Sequence, residues 1–201
     1  YRQWAPPLVV SISAPSAEHF AHLAAEVSVP GVAAIEANIS CPNIEEDGKA
    51  FAMRASSTYE VMRKLRKATS LPLWAKLTPN TGETPDVARA AEEGGADALV
   101  VANTVLAMAI DIRTRRPKLG NLMGGLSGPS LKPIALRMAY QCARATRIPV
   151  IGCGGISTVE DVLEYLIAGA SAVQVGTATF INPTVMPGMI DGLAAYIEAE
   201  G

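Results

Sequence analysis

The sequence predicts an α/β fold of the (β/α)8 TIM-barrel type, with about the last six βα units present. Short apolar runs alternate along the chain with longer Ala-rich segments that carry charged residues at helical spacing. Polar residues stand at the carboxyl ends of the predicted strands, where a barrel carries its active site. At about 31 residues per barrel unit, the chain provides about six and a half units, and we place residues 1–201 in one domain. An open doubly wound sheet is the alternative.

Six segments are predicted as buried strands because they are apolar on both faces. Three of them follow a proline, as in Pro72-Leu73, and the other three follow a Gly-Ala or Gly-Val turn, as in Gly95-Ala96 and Gly169-Ala170. Gly95 and Gly169 stand where a left-handed helix cap is expected. The predicted strands are residues 8–13, 34–40, 73–78, 98–103, 150–153 and 172–177.

The segments between these strands are mostly apolar on one face, which predicts helices. The fifth of them follows Ser157, and Glu160 stands three residues later, so that a capping box is predicted at its start. The predicted helices are residues 16–27, 58–69, 85–93, 133–146, 159–168 and 189–200.

Composition excludes several classes of protein. The net charge is −2 and no basic block occurs, so nucleic acid is not expected as a partner. The longest apolar stretch, residues 98–110, is interrupted by Asn103 and Thr104 and is shorter than the roughly 20 residues of a membrane span. An odd count of 3 cysteines in a chain of this size argues against a disulfide framework. A soluble, cytoplasmic protein is therefore expected.

Motifs for other kinds of site are missing. His19 and His22 are the only histidines and share one predicted helix with no cysteine nearby, so no metal site is predicted. Neither a Gly-x-Ser-x-Gly elbow nor a nucleotide-triphosphate P-loop occurs. The acid-base carboxylate pair that a flavin-free barrel such as a phosphosugar isomerase needs at its strand ends is also absent.

A thiol between amides follows the second predicted strand. Cys41 lies between Asn38 and Asn43, where the strand opens into a loop. An isolated cysteine is most often a small buried side chain, and we assign Cys142 and Cys153 to that class. Asparagines offer both donors and acceptors, so this segment suits a planar ligand with alternating C=O and N–H groups, such as a cyclic imide or amide.

Lys76 stands in an otherwise apolar strand. A buried ammonium is costly unless an anionic group meets it, and the apolar neighbours predict that the side chain points inward rather than past the rim. Glycine-bearing turns around Gly128, Gly154 and Gly155, together with Gly176 at the end of the last strand, offer backbone amides to a ligand. The sequence therefore predicts a ligand that carries a phosphate.

Five segments together resemble dihydroorotate dehydrogenase, specifically the catalytic subunit of the class I, subclass B enzymes of the NAD-linked type. The resemblance runs from about Leu8 to the carboxyl terminus, and its motifs are specific to that family. The segments are Asn38-Ile-Ser-Cys-Pro-Asn43, Ala75-Lys-Leu-Thr-Pro-Asn80, Asn103-Thr104 with Met108-Ala-Ile-Asp111, Gly124-Gly-Leu-Ser-Gly-Pro129 with Lys132-Pro-Ile-Ala-Leu-Arg137, and Gly154-Gly-Ile-Ser157.

The resemblance implies an FMN-dependent oxidation of (S)-dihydroorotate to orotate in pyrimidine biosynthesis, with Cys41 as the general base. It further implies a homodimer within a heterotetramer, whose partner subunit carries FAD and a [2Fe-2S] cluster and passes electrons to NAD. The cofactor-binding residues that it implies are Ser11, Asn38, Lys76, Ala102, Gly128, Gly154, Gly155, Gly176 and Thr177, and the substrate-binding residues are Asn38, Asn43, Asn103 and Thr104.

The chain departs from the family pattern in three ways. Ser11 stands where the family usually has Asn, and Ala107 replaces a common Gly. The family's first two βα units are absent, and they supply a flavin-contacting Ser, a substrate-binding Lys and part of a substrate loop. We therefore expect an N-terminally truncated copy. The alternatives are a dihydropyrimidine dehydrogenase-like FMN subunit and an inactive barrel fragment. A substrate test with uracil against orotate distinguishes the dihydropyrimidine enzyme from the dihydroorotate enzyme.

Overall fold

The computed structural model of the protein describes residues 6–40 and 50–200. Its main sheet has 6 parallel strands, as alternating strands and helices predict: residues 8–12, 32–38, 73–76, 98–101, 150–153 and 172–174, adjacent in that order. The strands are β1 (Leu8–Ile12), β2 (Val32–Asn38), β3 (Leu73–Lys76), β4 (Ala98–Val101), β5 (Val105–Ala107), β6 (Ile110–Asp111), β7 (Arg116–Pro117), β8 (Gly124–Leu126), β9 (Val150–Cys153) and β10 (Ala172–Gln174).

Seven α-helices accompany these strands in the described residues. They are α1 (Ala17–Val27), α2 (Ala55–Ala68), α3 (Thr84–Glu93), α4 (Lys132–Ala145), α5 (Val159–Ile167), α6 (Thr177–Ile181) and α7 (Val185–Glu200). Short 3-10 helices span Phe51–Met53 and Pro129–Leu131. No helix in this part of the chain is long and apolar enough to cross a membrane.

The sheet is curled as in a barrel, which decides between the two predicted architectures. The Gln174 side chain on β10 donates a hydrogen bond of 2.7 Å to Glu36 on β2. In a flat sheet these strands would lie about 19 Å apart, at about 4.8 Å per strand. The sheet therefore bends until side chains from β2 and β10 meet inside it, and the fold is a partial barrel.

The main core lies between the sheet and its helices. Phe20, Leu65, Leu99, Met138 and Tyr165 are fully buried there in one continuous apolar cluster. A second, smaller cluster lies on the opposite, inner face of the sheet; it consists of Ala98, Val100 and Ile151, with Trp74 and Cys153 packed against it. Both faces of the sheet are thus covered, as the runs without polar alternation predict.

The predicted left-handed turns are confirmed, with φ of +101° at Gly95 and +104° at Gly169. The predicted capping box is displaced by one residue. Thr158, rather than Ser157, is the N-cap of α5, and its hydroxyl accepts from the amide of Asp161, which in turn accepts from the Thr158 amide. Ser157 donates its own amide and hydroxyl to Asp161 instead, so Glu160 is not the reciprocal partner.

Two helices begin three or more residues earlier than predicted. The α2 helix starts at Ala55, so the predicted starting residue, Thr58, lies within its first turn. There the Thr58 hydroxyl donates to the carbonyl of Arg54 at 2.8 Å. The α7 helix starts at Val185 rather than at 189, since Pro187 is tolerated in a first turn, where its missing N–H has no intrahelical partner.

The segment between β4 and α4 holds strands that the alternation does not predict. The β5 strand pairs with β8, and β6 pairs with β7, in two antiparallel ladders. The short α6 helix was also not predicted. Most predicted strands of the main sheet run past the observed ends, so that Ser40, Asn103 and Thr104 lie in the loops that follow β2 and β4.

Candidate active site

A cleft of about 180 Å³ lies at the carboxyl ends of β3, β4, β9 and β10. In a parallel barrel all these ends meet on one rim, which is why polar residues that are distant in sequence converge there. Of the residues predicted to bind cofactor or substrate, those that line the cleft are Lys76, Ala102, Asn103, Thr104, Gly128, Gly154, Gly155, Gly176 and Thr177.

A second pocket of about 250 Å³ adjoins the first one and shares Asn103 and Thr104 with it. Ser40, Thr78 and Asn80 supply much of its polar lining. The Asn80 side chain donates to the carbonyl of Thr104 at 3.3 Å. The two pockets therefore form neighbouring compartments, one lined by glycines and one by amides and hydroxyls.

Asn38 does not line the cleft, but it is tied to a residue that does. The Asn103 side chain donates to Asn38 Oδ1 at 3.1 Å and also to the Ser40 hydroxyl. The Asn103 side-chain oxygen Oδ1 accepts from the backbone amide of Thr104 at 2.8 Å. This chain of hydrogen bonds fixes the amide planes at the boundary between the two pockets. Ser40 was not predicted as a site residue, although it follows the strand that carries Asn38.

The Lys76 side chain points into the barrel, as predicted, and its anionic partner is Glu36. The two charged atoms are 3.3 Å apart, and the two side chains are only 20% and 6% exposed. Ser11, the other predicted residue outside the cleft, donates its hydroxyl to the same Glu36 oxygen at 3.0 Å. Sequence reasoning missed Glu36 and Gln174. The available signal was an acidic residue in an apolar strand, two positions before Asn38 and so on the same face.

The glycine turns make close approaches that side chains would block. Gly155 has φ of +72°, and a Cβ there would lie 2.6 Å from the backbone nitrogen of Lys132. A Cβ at Gly176 would instead stand in open space, with no protein atom within 4 Å. Neither the Gly155 amide nor the Gly176 amide has an acceptor within residues 6–40 and 50–200. The two amides are therefore available to a ligand.

Two side chains support these turns from behind. The Tyr165 hydroxyl donates to the carbonyl of Gly154 at 2.8 Å.

Lys132, in the first turn of α4, forms ion pairs of 2.6 Å with Asp161 and 3.0 Å with Glu164. Burial on its own raises the pKa of Asp161, but the hydrogen bonds from Lys132, Ser157 and Thr158 outweigh it and lower this pKa to about 2. The carboxylate thus joins α4 to the start of α5.

The cysteines differ in their surroundings. Cys142 is buried in the main core, as predicted, and burial raises its pKa to about 12. Cys153 lines the cleft; burial raises the pKa of its thiol, Lys76 lowers it, and Glu36 raises it again. Cys41 and Asn43, the predicted base and one predicted substrate-binding residue, lie outside the described residues. No group of three or more possible metal ligands occurs among the residues that the structure describes.

Comparisons with known proteins agree with this arrangement. The family model for dihydroorotate dehydrogenase matches residues 1–197. A relative from a Thermoanaerobacter species, named dihydroorotate dehydrogenase B (NAD(+)), catalytic subunit, is 45% identical over 196 residues, which are 98% of this chain and 65% of the relative. A protein of the same name from Desulforamulus reducens is 47% identical over 195 residues, or 96% of this chain and 64% of that protein.

The structural comparison supports the fold alone. A crystal structure of DHODH from Eimeria tenella, in complex with ferulenol, superposes with a TM-score of 0.76 and 22% sequence identity, covering 92% of this chain and 55% of that chain. The ligand-free form from the same organism gives a TM-score of 0.69 and 24% identity, covering 85% of this chain and 53% of that one. The chain spans 64–65% of the length of these two curated relatives, which is less than two thirds.

Proposed function

The chain belongs to the dihydroorotate dehydrogenase family, and we propose that it forms the FMN-binding catalytic part of an NAD-linked enzyme that oxidises (S)-dihydroorotate to orotate in pyrimidine biosynthesis. The observation that carries this proposal is the pair of adjoining pockets, one with glycine amides and one with asparagine amides, that share Asn103 and Thr104. A flavin and a planar cyclic substrate must lie side by side for hydride transfer, and such compartments suit that requirement.

The residues of the cleft fit FMN. The Gly155 and Gly176 amides have no acceptor among the described residues and can bind a phosphate, as amides at glycine turns do. Ala102 and Lys76 line the cleft; Ala102 would offer a small apolar surface to the flavin ring, and Lys76 would offer it a positive charge. Gly128, Gly154 and Thr177 are proposed to complete the phosphate and ribityl contacts. Asn38 and Ser11 do not line the cleft; Asn38 accepts a hydrogen bond from Asn103, and Ser11 donates one to Glu36, the partner of Lys76.

FMN held in the cleft would supply the hydride acceptor for the oxidation of the substrate. Cys41 is proposed to remove the C5 proton as the general base, a role that needs only a transient thiolate near neutral pH. Asn38, Asn43, Asn103 and Thr104 are proposed to hold the substrate ring and its carboxylate by hydrogen bonds. The network that joins Asn38 to Asn103 keeps these amides in fixed orientations before the substrate binds.

We further propose that two additional βα units close the barrel between β10 and β1 in the longer protein. Within the described residues β1 pairs only with β2, and β10 pairs only with β9, so each strand leaves one edge open. Open strand edges are prone to pair with other chains, and Leu8 on β1 is 50% exposed. The 201-residue chain by itself is therefore expected to associate, whereas a monodisperse, cooperatively melting monomer would contradict this proposal.

The relatives are named catalytic subunits. We propose for this protein a homodimer within a heterotetramer, with a partner subunit that carries FAD and a [2Fe-2S] cluster and passes electrons to NAD. Reduction of NAD by dihydroorotate only when the candidate partner subunit is added would support this assignment. Rapid NAD reduction by the FMN-loaded protein alone would contradict it.

The decisive experiment is a visible absorption spectrum of the purified protein before and after anaerobic addition of dihydroorotate. A bound flavin that bleaches with dihydroorotate but not with dihydrouracil is expected, and the Cys41→Ser variant should bleach at least a hundredfold more slowly. The Cys153→Ser variant controls for the loss of a thiol at the cleft and should retain most of the rate. A colourless protein that takes up no added FMN would refute the proposal for this chain.

A further inference from the structure

Glu36 is a buried carboxylate with partners on three different strands. It is 4% exposed. Lys76 on β3 lies 3.3 Å from one of its oxygens, and Ser11 on β1 donates to the same oxygen at 3.0 Å. Gln174 on β10 donates to the other oxygen at 2.7 Å. A carboxylate with so little access to water is costly unless it is both paired and hydrogen-bonded, and Glu36 meets both conditions.

The carboxylate lies behind the cleft rather than in its wall. Lys76 and Gln174 line the cleft, while Glu36 is not among the lining residues. Both lining side chains therefore depend for their position on a group that a ligand in the cleft does not touch. Lys76 on β3 and Gln174 on β10 are separated by two strands in the sheet order, so Glu36 also links two strands that are not neighbours.

We propose that Glu36 is a positioning residue that holds Lys76 and Gln174 at the floor of the cleft and offsets the charge of Lys76. This inference rests on the proposed function, in which Lys76 lies beside the flavin. Reduction adds negative charge to the flavin ring, so an uncompensated ammonium there stabilises the reduced form more strongly than a paired one. Glu36 thereby sets how strongly the site prefers reduced over oxidised FMN.

The first test is the midpoint potential of FMN bound to the Glu36→Gln variant, which removes the charge and nearly keeps the shape. We expect at least a tenfold increase in the ratio of affinities for reduced and oxidised FMN, a positive shift of about 30 mV for a two-electron couple. Glu60→Gln, the same change on the exposed face of α2, should alter the ratio less than twofold.

The same Glu36→Gln change made in a Lys76→Met protein shows whether Glu36 affects the flavin through Lys76 or directly. In a Lys76→Met protein Glu36 has no ammonium to hold in place or to offset. Adding Glu36→Gln to that protein should therefore change the affinity ratio less than twofold. An equal shift in both backgrounds would show that Glu36 acts on the flavin without Lys76 and would overturn the inference.

A third measurement needs no flavin. Removing one member of a buried ion pair destabilises a protein more than removing both. In urea unfolding of the apoprotein, Glu36→Gln and Lys76→Met are each expected to lower the folding equilibrium constant at least tenfold, and the double variant to lower it less than either. Strictly additive effects would contradict the pairing. If Glu36→Gln does not fold, Glu36→Asp, which retracts the carboxylate by one methylene, should give a smaller shift of potential with the same sign.

The outcomes distinguish this inference from the function on which it rests. If the parent protein binds no FMN, the proposed function and the inference both fail. If the protein binds FMN and bleaches with dihydroorotate but the affinity ratio in Glu36→Gln stays within twofold of the parent, only the inference fails.

Discussion

The two faces of the main sheet are built from alternate residues of the same strands, and they differ in composition. On β4, Leu99 and Val101 belong to the large cluster beneath the helices, whereas Ala98 and Val100 belong to the small cluster inside the barrel. Toward the rim the inner face also carries Glu36 and Lys76. The helix-covered face is almost purely apolar, while the inner face changes from apolar to charged along the strands.

This difference separates stability from function within a single sheet. Apolar side chains stabilise roughly in proportion to the area that they bury, so the helix-covered face, with its many buried partners, provides most of the stabilisation. The buried charges of the inner face are costly to desolvate, and their pairing only offsets that cost. Substitutions on the first face should therefore act mainly on folding, and those on the second mainly on the site.

The largest effect is expected from Leu99→Ala, which leaves a cavity in the main core and should lower the free energy of unfolding by about 2–5 kcal/mol. Val100 and Val101 provide a matched pair, since both are fully buried and point to opposite faces. Val100→Ala should cost about 1–2 kcal/mol, and Val101→Ala more than that. Urea unfolding measures all three variants. Equal costs for the two valines would contradict the proposed division between the faces.

The next effect concerns Asp161, in the first turn of α5 after the loop that follows β9. The pKa of Asp161 is lowered to about 2 in the folded protein, below its value of about 3.9 in the unfolded chain. The carboxylate therefore contributes about 2 kcal/mol of stability above about pH 4, and this is lost as the pH falls toward 2. Asp161→Asn should show that deficit at pH 7 and almost none near pH 2, measured by urea unfolding across this range.

Glu164→Gln is the control for that experiment. Glu164 also pairs with Lys132, but its side chain is 46% exposed, and exposed ion pairs contribute little to stability. We expect a change of less than about 1 kcal/mol at pH 7. A deficit in Asp161→Asn that persists unchanged to pH 2 would mean that the stabilisation does not come from the ionised carboxylate.

A smaller effect is expected where a residue of the main core reaches a glycine of the cleft. Tyr165→Phe removes the hydrogen bond to the Gly154 carbonyl and keeps the ring that packs against Gly152. The free energy of unfolding should fall by about 0.5–1.5 kcal/mol, with weaker FMN binding as a second result. The exposed Tyr140 gives the control: Tyr140→Phe should change neither quantity. An unchanged FMN affinity in Tyr165→Phe would show that this bond does not support the cleft.

The two described cysteines allow the two faces of the sheet to be compared by chemical labelling, without any substitution. Cys142 belongs to the helix-covered core and has a pKa of about 12, so at pH 8 its thiolate fraction is about a thousandfold below that of an ordinary cysteine. Cys153 is partly exposed in the cleft. In native alkylation followed by peptide mapping, label should reach Cys153 well before Cys142, and bound FMN should slow the labelling of Cys153. Preferential labelling of Cys142 would contradict the assignment of the two faces.

Much of this arrangement could be predicted from local patterns. The β9 strand begins and ends at the predicted residues because an apolar run bounded by Pro149 and a glycine turn is complete local information. The rim residues could be predicted as a group, since in a parallel sheet every strand ends on the same edge. Lys76 could be assigned to the interior because an ammonium in an apolar strand needs a buried partner.

Other features depended on contacts between distant residues. The sequence alone predicts that Lys76 needs an anion, and it does not say that Glu36 supplies it across 40 positions of sequence or that Gln174 binds the same carboxylate across 138. The shift of the capping box from Ser157 to Thr158 follows from the competition of several donors for Asp161.

Local sequence patterns specify the order of the six main-sheet strands and of the helices that follow the predicted segments, the glycine turns, and the rim on which the polar residues gather, because side-chain periodicity and glycine geometry act over a few residues. The sequence also favours a barrel over an open sheet, but only the tertiary structure shows which side chains meet inside it. Curling is a property of the whole sheet: strand twist accumulates over all six strands, and only then do β2 and β10 come within reach of one hydrogen bond.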